Sequence, residues 1–294
     1  MDLELEQQLK RVLTAVERLL PKAVPAVDWT VAKAAVWRRH AMSGHLEAVT
    51  EGAAMDLADL LGIERQKEVL VENTSQFIAG FPANNVLLWG TRGTGKSSLV
   101  RAILHTFARD GLRLVQVDKN DLVNLPDIVD EIRGEPYRFI IFADDVSFET
   151  GESSYKMLKS ALDGSVYAPP ENALIYVTSN RRHLLPEYEN DNRGAMLVNN
   201  EIHHGESVEE KISLSGRFGL WVGFHPFTQD QYLDVVRQWT VRVAQQHGFA
   251  FEWTKEVSKE ALDWSHVKGD RSGRIAWQFA NQWVGKSMLK GGKL

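Results

Sequence analysis

An apolar run at residues 86–89 ends on Gly90, and the stretch Gly90-Thr91-Arg92-Gly93-Thr94-Gly95-Lys96-Ser97 opens directly into a helical pattern over 98–107. A strand, a glycine-rich loop and a helix in so short a span commit the chain to a layered α/β fold and give it an anion site. The glycines at 90, 93 and 95 let the backbone turn with its N–H groups inward, a nest for phosphate oxygens at the positive end of the helix. ATP fills such a nest, with Thr91, Thr94 and Ser98 among its contacts. Lys96 then bridges the β- and γ-phosphates, and the Ser97 hydroxyl enters the coordination shell of Mg2+.

The surrounding pattern agrees. Short, nearly continuous apolar runs at 86–89, 112–117, 139–143, 174–178 and 220–224 alternate with helical periodicity, as buried parallel strands require. Five strands predict a parallel, doubly wound sheet. After Pro226 only helical spacing appears, through Tyr232, Val235, Val236 and Trp239, then Ile275, Phe279 and Trp283, which predicts a small helical lid. Before about residue 59 the spacing of Leu9, Val12, Val16 and Leu19, and then of Trp29, Val31, Ala34 and Trp37, predicts helices broken by Pro21 and Pro25. The expected division is therefore an N-terminal helical segment at 1–58, a nucleotide-binding core at 59–227 and a lid at 228–294. The polar loop 187–210 is the expected mobile segment.

Composition removes several classes of function. The 294 residues contain no cysteine, which excludes disulfides, thiolate metal sites and cysteine nucleophiles. His203 with His204, and His40 with His45, lack a third ligand at metal-binding spacing. The net charge of −5 exerts no global pull on nucleic acid, so such a partner is not favoured. No apolar run approaches a membrane span and the start has no basic-then-apolar signal, so a cytoplasmic protein without a membrane partner is expected.

The run Phe139-Ile-Ile-Phe142-Ala143-Asp144-Asp145 supplies the companion of the phosphate loop, an apolar strand with acids at its C-terminal end. Ligands collect at that edge of a parallel sheet. Asp144 is placed to hold Mg2+, and Asp145 to orient or deprotonate an attacking water.

The phosphate loop, the double-Asp strand and Thr178-Ser-Asn180-Arg181-Arg182-His183 come in an order that resembles AAA+ ATPases. The phrases Thr-Ser-Asn-Arg-Arg-His-Leu, Glu210-Lys-Ile-Ser-Leu-Ser-Gly-Arg217-Phe-Gly-Leu-Trp221 and Arg271-Ser-Gly-Arg274 are similar to one bacterial AAA+ family catalogued as a domain of unknown function, over roughly residue 60 to the end. The resemblance implies that Asn180 is the first sensor, an amide that can donate and accept at once. It implies that Arg217 is an arginine finger donated to a neighbouring subunit, with Arg181 and Arg182 as competitors. Arg274, with Arg271 as the alternative, is then the lid sensor, and Leu61-Gly62-Ile63 the apolar cradle for adenine. It further implies a ring of copies, six in the family pattern, that remodels an unidentified protein client.

Two departures stand out. Ser215-Gly216-Arg217 has no acidic residue where the family pattern places one before the Arg. Asp145 stands where many AAA+ enzymes have Glu, and one methylene less sets a carboxylate back by about 1.5 Å, a displacement that can cost about 100-fold in rate. Glu149 is the other candidate for that role. The sequence therefore leaves three functions open: a protein-remodelling ATPase, a nucleic-acid loader or helicase-like factor, and a nucleotide-gated scaffold with slow hydrolysis.

Overall fold

In the computed structural model, residues 11, 25–40, 43–49, 55–148, 152–163, 170–182, 184, 196–198, 201–203, 214–248 and 250–291 are described. The first helix expected from the sequence, most of the polar loop at 187–210, Glu149, His183 and His204 lie outside them.

The strands are β1 Ala34–His40, β2 Ser43–Ala48, β3 Val86–Gly90, β4 Leu112–Val117, β5 Arg138–Ala143, β6 Ala173–Ser179, the short β7 Met196–Val198 and β8 Glu201–His203, and β9 Leu220–Phe224. The helices are α1 Glu64–Ile78, α2 Lys96–Phe107, α3 Leu125–Ile132, α4 Ser153–Leu162, α5 Gln229–Gln246, α6 Lys255–Lys268 and α7 Gly273–Gly291. Seven strands form one sheet in the order β2-β1-β4-β5-β6-β3-β9, parallel throughout except for the β1–β2 hairpin; β7 and β8 pair separately.

Strand β5 shows why the sheet is buried on both sides. Phe139, Ile141 and Ala143 pack into one apolar cluster with Leu125, Ile128 and Leu158, while Ile140 and Phe142 pack into another with Leu70, Leu99 and Ile103. Alternate side chains of a strand point to opposite faces, so a run apolar at every position fits only where helices cover both. Here α3 and α4 cover one face, and α1 and α2 the other. The chain crosses from β3 to β4 over two intervening strands and returns through β5 and β6 to the place beside β3. The C-terminal ends of β5, β6 and β3 are therefore neighbours, and that edge is where a parallel sheet binds ligands.

The sheet has two strands more than the five expected, and both come from the segment read as helical. Ala35 and Trp37 are buried, Val36 between them half-buried and Arg38 exposed, a period of two rather than 3.6, while Val31 stands 78% exposed. The spacing of Trp29, Ala34 and Trp37 fits either element; the open edge of β4 decides, pairing Ala34 with Leu114, Ala35 with Val115 and Val36 with Gln116. Arg113, 6% exposed, fixes the approach: its guanidinium donates to the carbonyls of Trp29, Ala108 and Leu112 and lies over the Tyr137 ring at 4.0 Å. Across the hairpin Arg38 meets Glu47 at 2.7 Å.

The helices after β9 pack against one another, α5 chiefly against α7. Thr228 and Gln231 form a capping box at the start of α5, and Thr254 caps α6. Arg242 of α5 pairs with Asp59 at 2.5 Å and Gln238 donates to the Ala58 carbonyl, tying this unit to the turn that precedes α1. Among the described residues no helix is long and apolar enough to cross a membrane.

Candidate nucleotide site

At the end of β3 the chain must leave the sheet sharply, because β9 runs alongside. Gly90 has φ +125°, and a Cβ there would come within 2.0 Å of the Phe224 carbonyl oxygen, so only glycine fits. Thr91 N–H donates to that same carbonyl, which pins the loop to β9. The Thr94 hydroxyl donates back to the Thr91 carbonyl, closing the loop on itself. Gly93 has φ +79° and faces the start of α7, where Ser272 Oγ and Arg274 Cβ would crowd any side chain. Helix α2 then begins at Lys96 with its first N–H groups unpaired by geometry, the terminus that attracts an anion.

Three strand ends converge on this loop. Asp144, just past β5, accepts from the Ser97 hydroxyl at 2.5 Å and from the Thr178 hydroxyl of β6 at 2.5 Å. Asp145 follows with φ +53°, a conformation Asp tolerates better than most residues, and its N–H donates to Thr178 Oγ1 at 2.8 Å. Asn180 donates through Nδ2 to Asp145 and accepts through Oδ1 from Lys96 at 3.1 Å, so its amide dipole lies between a carboxylate and an ammonium in the favourable sense. Arg92 approaches the other Asp145 oxygen at 3.8 Å.

Lys96 is 7% exposed and also donates to the Gly90 and Thr91 carbonyls at 2.8 Å each. Burial pulls its ammonium down to about 8; Asp145 and Asp144 oppose that shift, and Arg274 and Arg92 add to it.

These groups line a cleft of about 560 Å3 between sheet edge and lid. It takes in Ile63, Gly93, Thr94, Gly95, Lys96, Ser97, Ser98, Asp144, Asp145, Asn180 and Arg274. Gly90 and Thr91 are not on its wall; they turn their carbonyls to Lys96. Of the two lid arginines, Arg274 enters the cleft while Arg271 lies 3.4 Å from His266. Its apolar lining includes Met55, Leu61, Ile63, Phe227, Trp239 and Trp277.

Arg217 stands elsewhere. Its guanidinium pairs with Asp163, the residue that follows α4, and it does not line the cleft. Asp163 thus provides the acidic neighbour that the local sequence lacks. Neither Arg181 nor Arg182 lines the cleft either, and Arg182 lies over the Trp89 ring at 5.3 Å.

Sequence reasoning gave no role to Thr178, Arg92, Trp239 or Trp277. Thr178 was within reach: it lies at the C-terminal end of β6, two positions before Asn180, at the sheet edge where ligands collect. The two tryptophans meet the cleft only because α5 and α7 pack side by side, which no local spacing reveals.

The residues at the Asp144 end fit Mg2+. Two hydroxyls and a carboxylate converge there, hard oxygen donors, and among the described residues no cluster of three His, Cys, Asp or Glu side chains offers a site for a softer metal.

Comparison with solved structures places the fold. The AAA domain of FIGL-1 in complex with ADP is similar at TM-score 0.53 and 18% identity, covering 81% of this chain and 76% of that one. The P216G mutant of Thermotoga maritima RuvB gives 0.54 and 17%, covering 81% and 67%. The Aeropyrum pernix ORC1 protein in complex with DNA gives 0.51 and 16%, covering 74% and 58%. At such identities the likeness establishes an AAA+ P-loop fold and no more. No curated protein matches. A family profile described as "Protein of unknown function (DUF815)" matches residues 30–287, nearly the whole chain, and the chain belongs to that family.

Proposed function

We propose that the protein is an ATPase that binds ATP with Mg2+ in the cleft between the core, 59–227, and the lid, 228–294, and uses the nucleotide cycle to remodel a protein partner as a ring of copies. One observation supports this above others: Lys96 and Ser97 at the start of α2 and Asp144, Asp145 and Asn180 just past the ends of β5 and β6 are joined through Thr178 into a single hydrogen-bonded network beside an anion nest.

In this reading Ser97 and Asp144 would hold Mg2+, which supplies charge neutralisation at the phosphates. Lys96 releases the Gly90 and Thr91 carbonyls and takes up phosphate oxygens. Asp145 and Asn180 orient the attacking water, held in place before substrate arrives by their own hydrogen bond. Ile63 and Leu61 pack against the adenine, and Arg274 reports the phosphate state to the lid. Arg217, anchored on Asp163, acts on the site of a neighbouring copy, so the machinery is complete only between subunits.

Phosphate release by the purified protein with ATP and Mg2+, followed over a range of protein concentrations, tests this. Turnover per chain that rises with concentration is expected; no turnover at any concentration would sink it. A second reading, a nucleotide-gated scaffold with slow hydrolysis, is favoured by one observation: one carboxylate oxygen of Asp145 already accepts from Asn180, and the other faces Arg92 at 3.8 Å. Replacing Asp145 by Glu should then raise turnover, and a wild-type rate that is already fast and unchanged by the substitution counts against it.

A further inference from the structure

The loop from Gly90 to Ser97 contains two charged side chains, and they behave differently. Lys96 is buried and fully engaged. Arg92 is 70% exposed on the side-chain measure, lines the cleft, and meets only the edge of Asp145, at 3.8 Å. An ion pair this open and this long is weak, because water and salt screen it. Arg92 therefore gives up little in leaving Asp145 for a stronger anion.

The position of that pair says which anion. Asp145 is bonded to Asn180, and Asn180 to Lys96. Lys96 is the group that reaches the outer phosphates from such a loop. A terminal phosphate beside Lys96 and Asn180 would thus stand next to Arg92, in competition with the Asp145 carboxylate. A guanidinium prefers it, since its planar fork matches a phosphate with two parallel hydrogen bonds. The same exchange would free an Asp145 oxygen. The α- and β-phosphates would lie in the loop's own N–H nest, where Arg92 adds little.

We propose that Arg92 is a ligand for the γ-phosphate supplied by the same chain: it rests on Asp145 in the absence of a terminal phosphate and moves to that phosphate when a nucleoside triphosphate binds. The proposal rests on the ATPase reading above and deepens it, because it makes Arg92 the residue that separates triphosphate from diphosphate.

The test measures equilibrium binding of an imido-bridged, non-hydrolysable ATP analogue and of ADP, each with Mg2+, to the full chain and its Arg92→Ala and Arg92→Lys variants. Arg92→Ala should weaken the triphosphate by at least about tenfold, the worth of a charge-assisted phosphate contact, and leave ADP within about twofold. Arg92→Lys should fall between, keeping the charge without the fork. Equal losses for both nucleotides, or no loss for either, would overturn the proposal while leaving the ATPase reading intact. A wild-type chain that binds neither nucleotide overturns the ATPase reading itself. Unchanged thermal unfolding of both variants is expected from the exposure of Arg92 and confirms that binding alone is being read.

Discussion

Lys96 and Arg217 are two cations that the sequence assigns to the same chemistry, yet they sit in contrasting surroundings. Lys96 is enclosed and held by two loop carbonyls and Asn180, in a cleft whose other members come from the same chain. Arg217 lies off that cleft, and its guanidinium is tied to Asp163 at the end of α4. One end of the site is thus assembled by backbone geometry within a single copy. Arg217 is half-buried away from the cleft, held by a side-chain ion pair. In the ATPase reading proposed above, the difference makes binding and hydrolysis separable, with binding local to one chain and hydrolysis dependent on what Arg217 meets.

The largest expected effect bears on the outer cation. Arg217→Ala should lower turnover about 1,000-fold at saturating ATP while nucleotide affinity stays within about twofold; a parallel loss of affinity would erase the distinction between the two ends. Lys96→Ala should do the reverse, weakening ATP by about 100-fold through lost charge-assisted contacts, as read by titration with a fluorescent nucleotide. Third comes Thr178→Val, which removes the acceptor of the Asp145 N–H and a donor to Asp144. It should cost about 1–3 kcal/mol of stability, visible in denaturant unfolding, and an unaltered midpoint would show that the Thr178 bonds do not hold the acidic loop.

The smallest effect is a pH dependence. Burial holds the Lys96 ammonium down at about 8, and a bound triphosphate favours its charged form, so binding takes up a proton above that pH. Affinity should therefore be steady below about pH 7 and weaken as pH rises through 8, by about fivefold from pH 8 to 9 and toward a limiting tenfold per pH unit above that. A flat profile between pH 7.5 and 9.5 would remove Lys96 from the phosphate contacts.

How much of this was legible beforehand differs by residue. Strands 112–117 and 220–224 have the bounds expected from their apolar runs, because parallel strands covered on both faces need apolar residues at every position. The segment at 34–48 was misread as helix because Trp29, Ala34 and Trp37 satisfy a helical spacing and nothing local marks the vacant edge of β4. Arg113 shows the same limit: a charged residue inside an apolar run looks like a strand end until Trp29, 84 positions away, supplies the carbonyl it needs. Asp163 could not be found from Arg217, since 54 residues separate the partners.

By itself the sequence determined the glycine-rich turn between β3 and α2 and the five core strands, because glycine spacing and apolar periodicity act over a few residues and need no partner. Tertiary structure alone decided that a hairpin extends the sheet, that Arg274 rather than Arg271 faces the cleft, that Thr178 joins Asp144 to Asp145, and that Arg217 rests on Asp163. Each of these depends on which surfaces the packed helices and the sheet order bring together, and side-chain contacts across such distances leave no periodic trace in the chain.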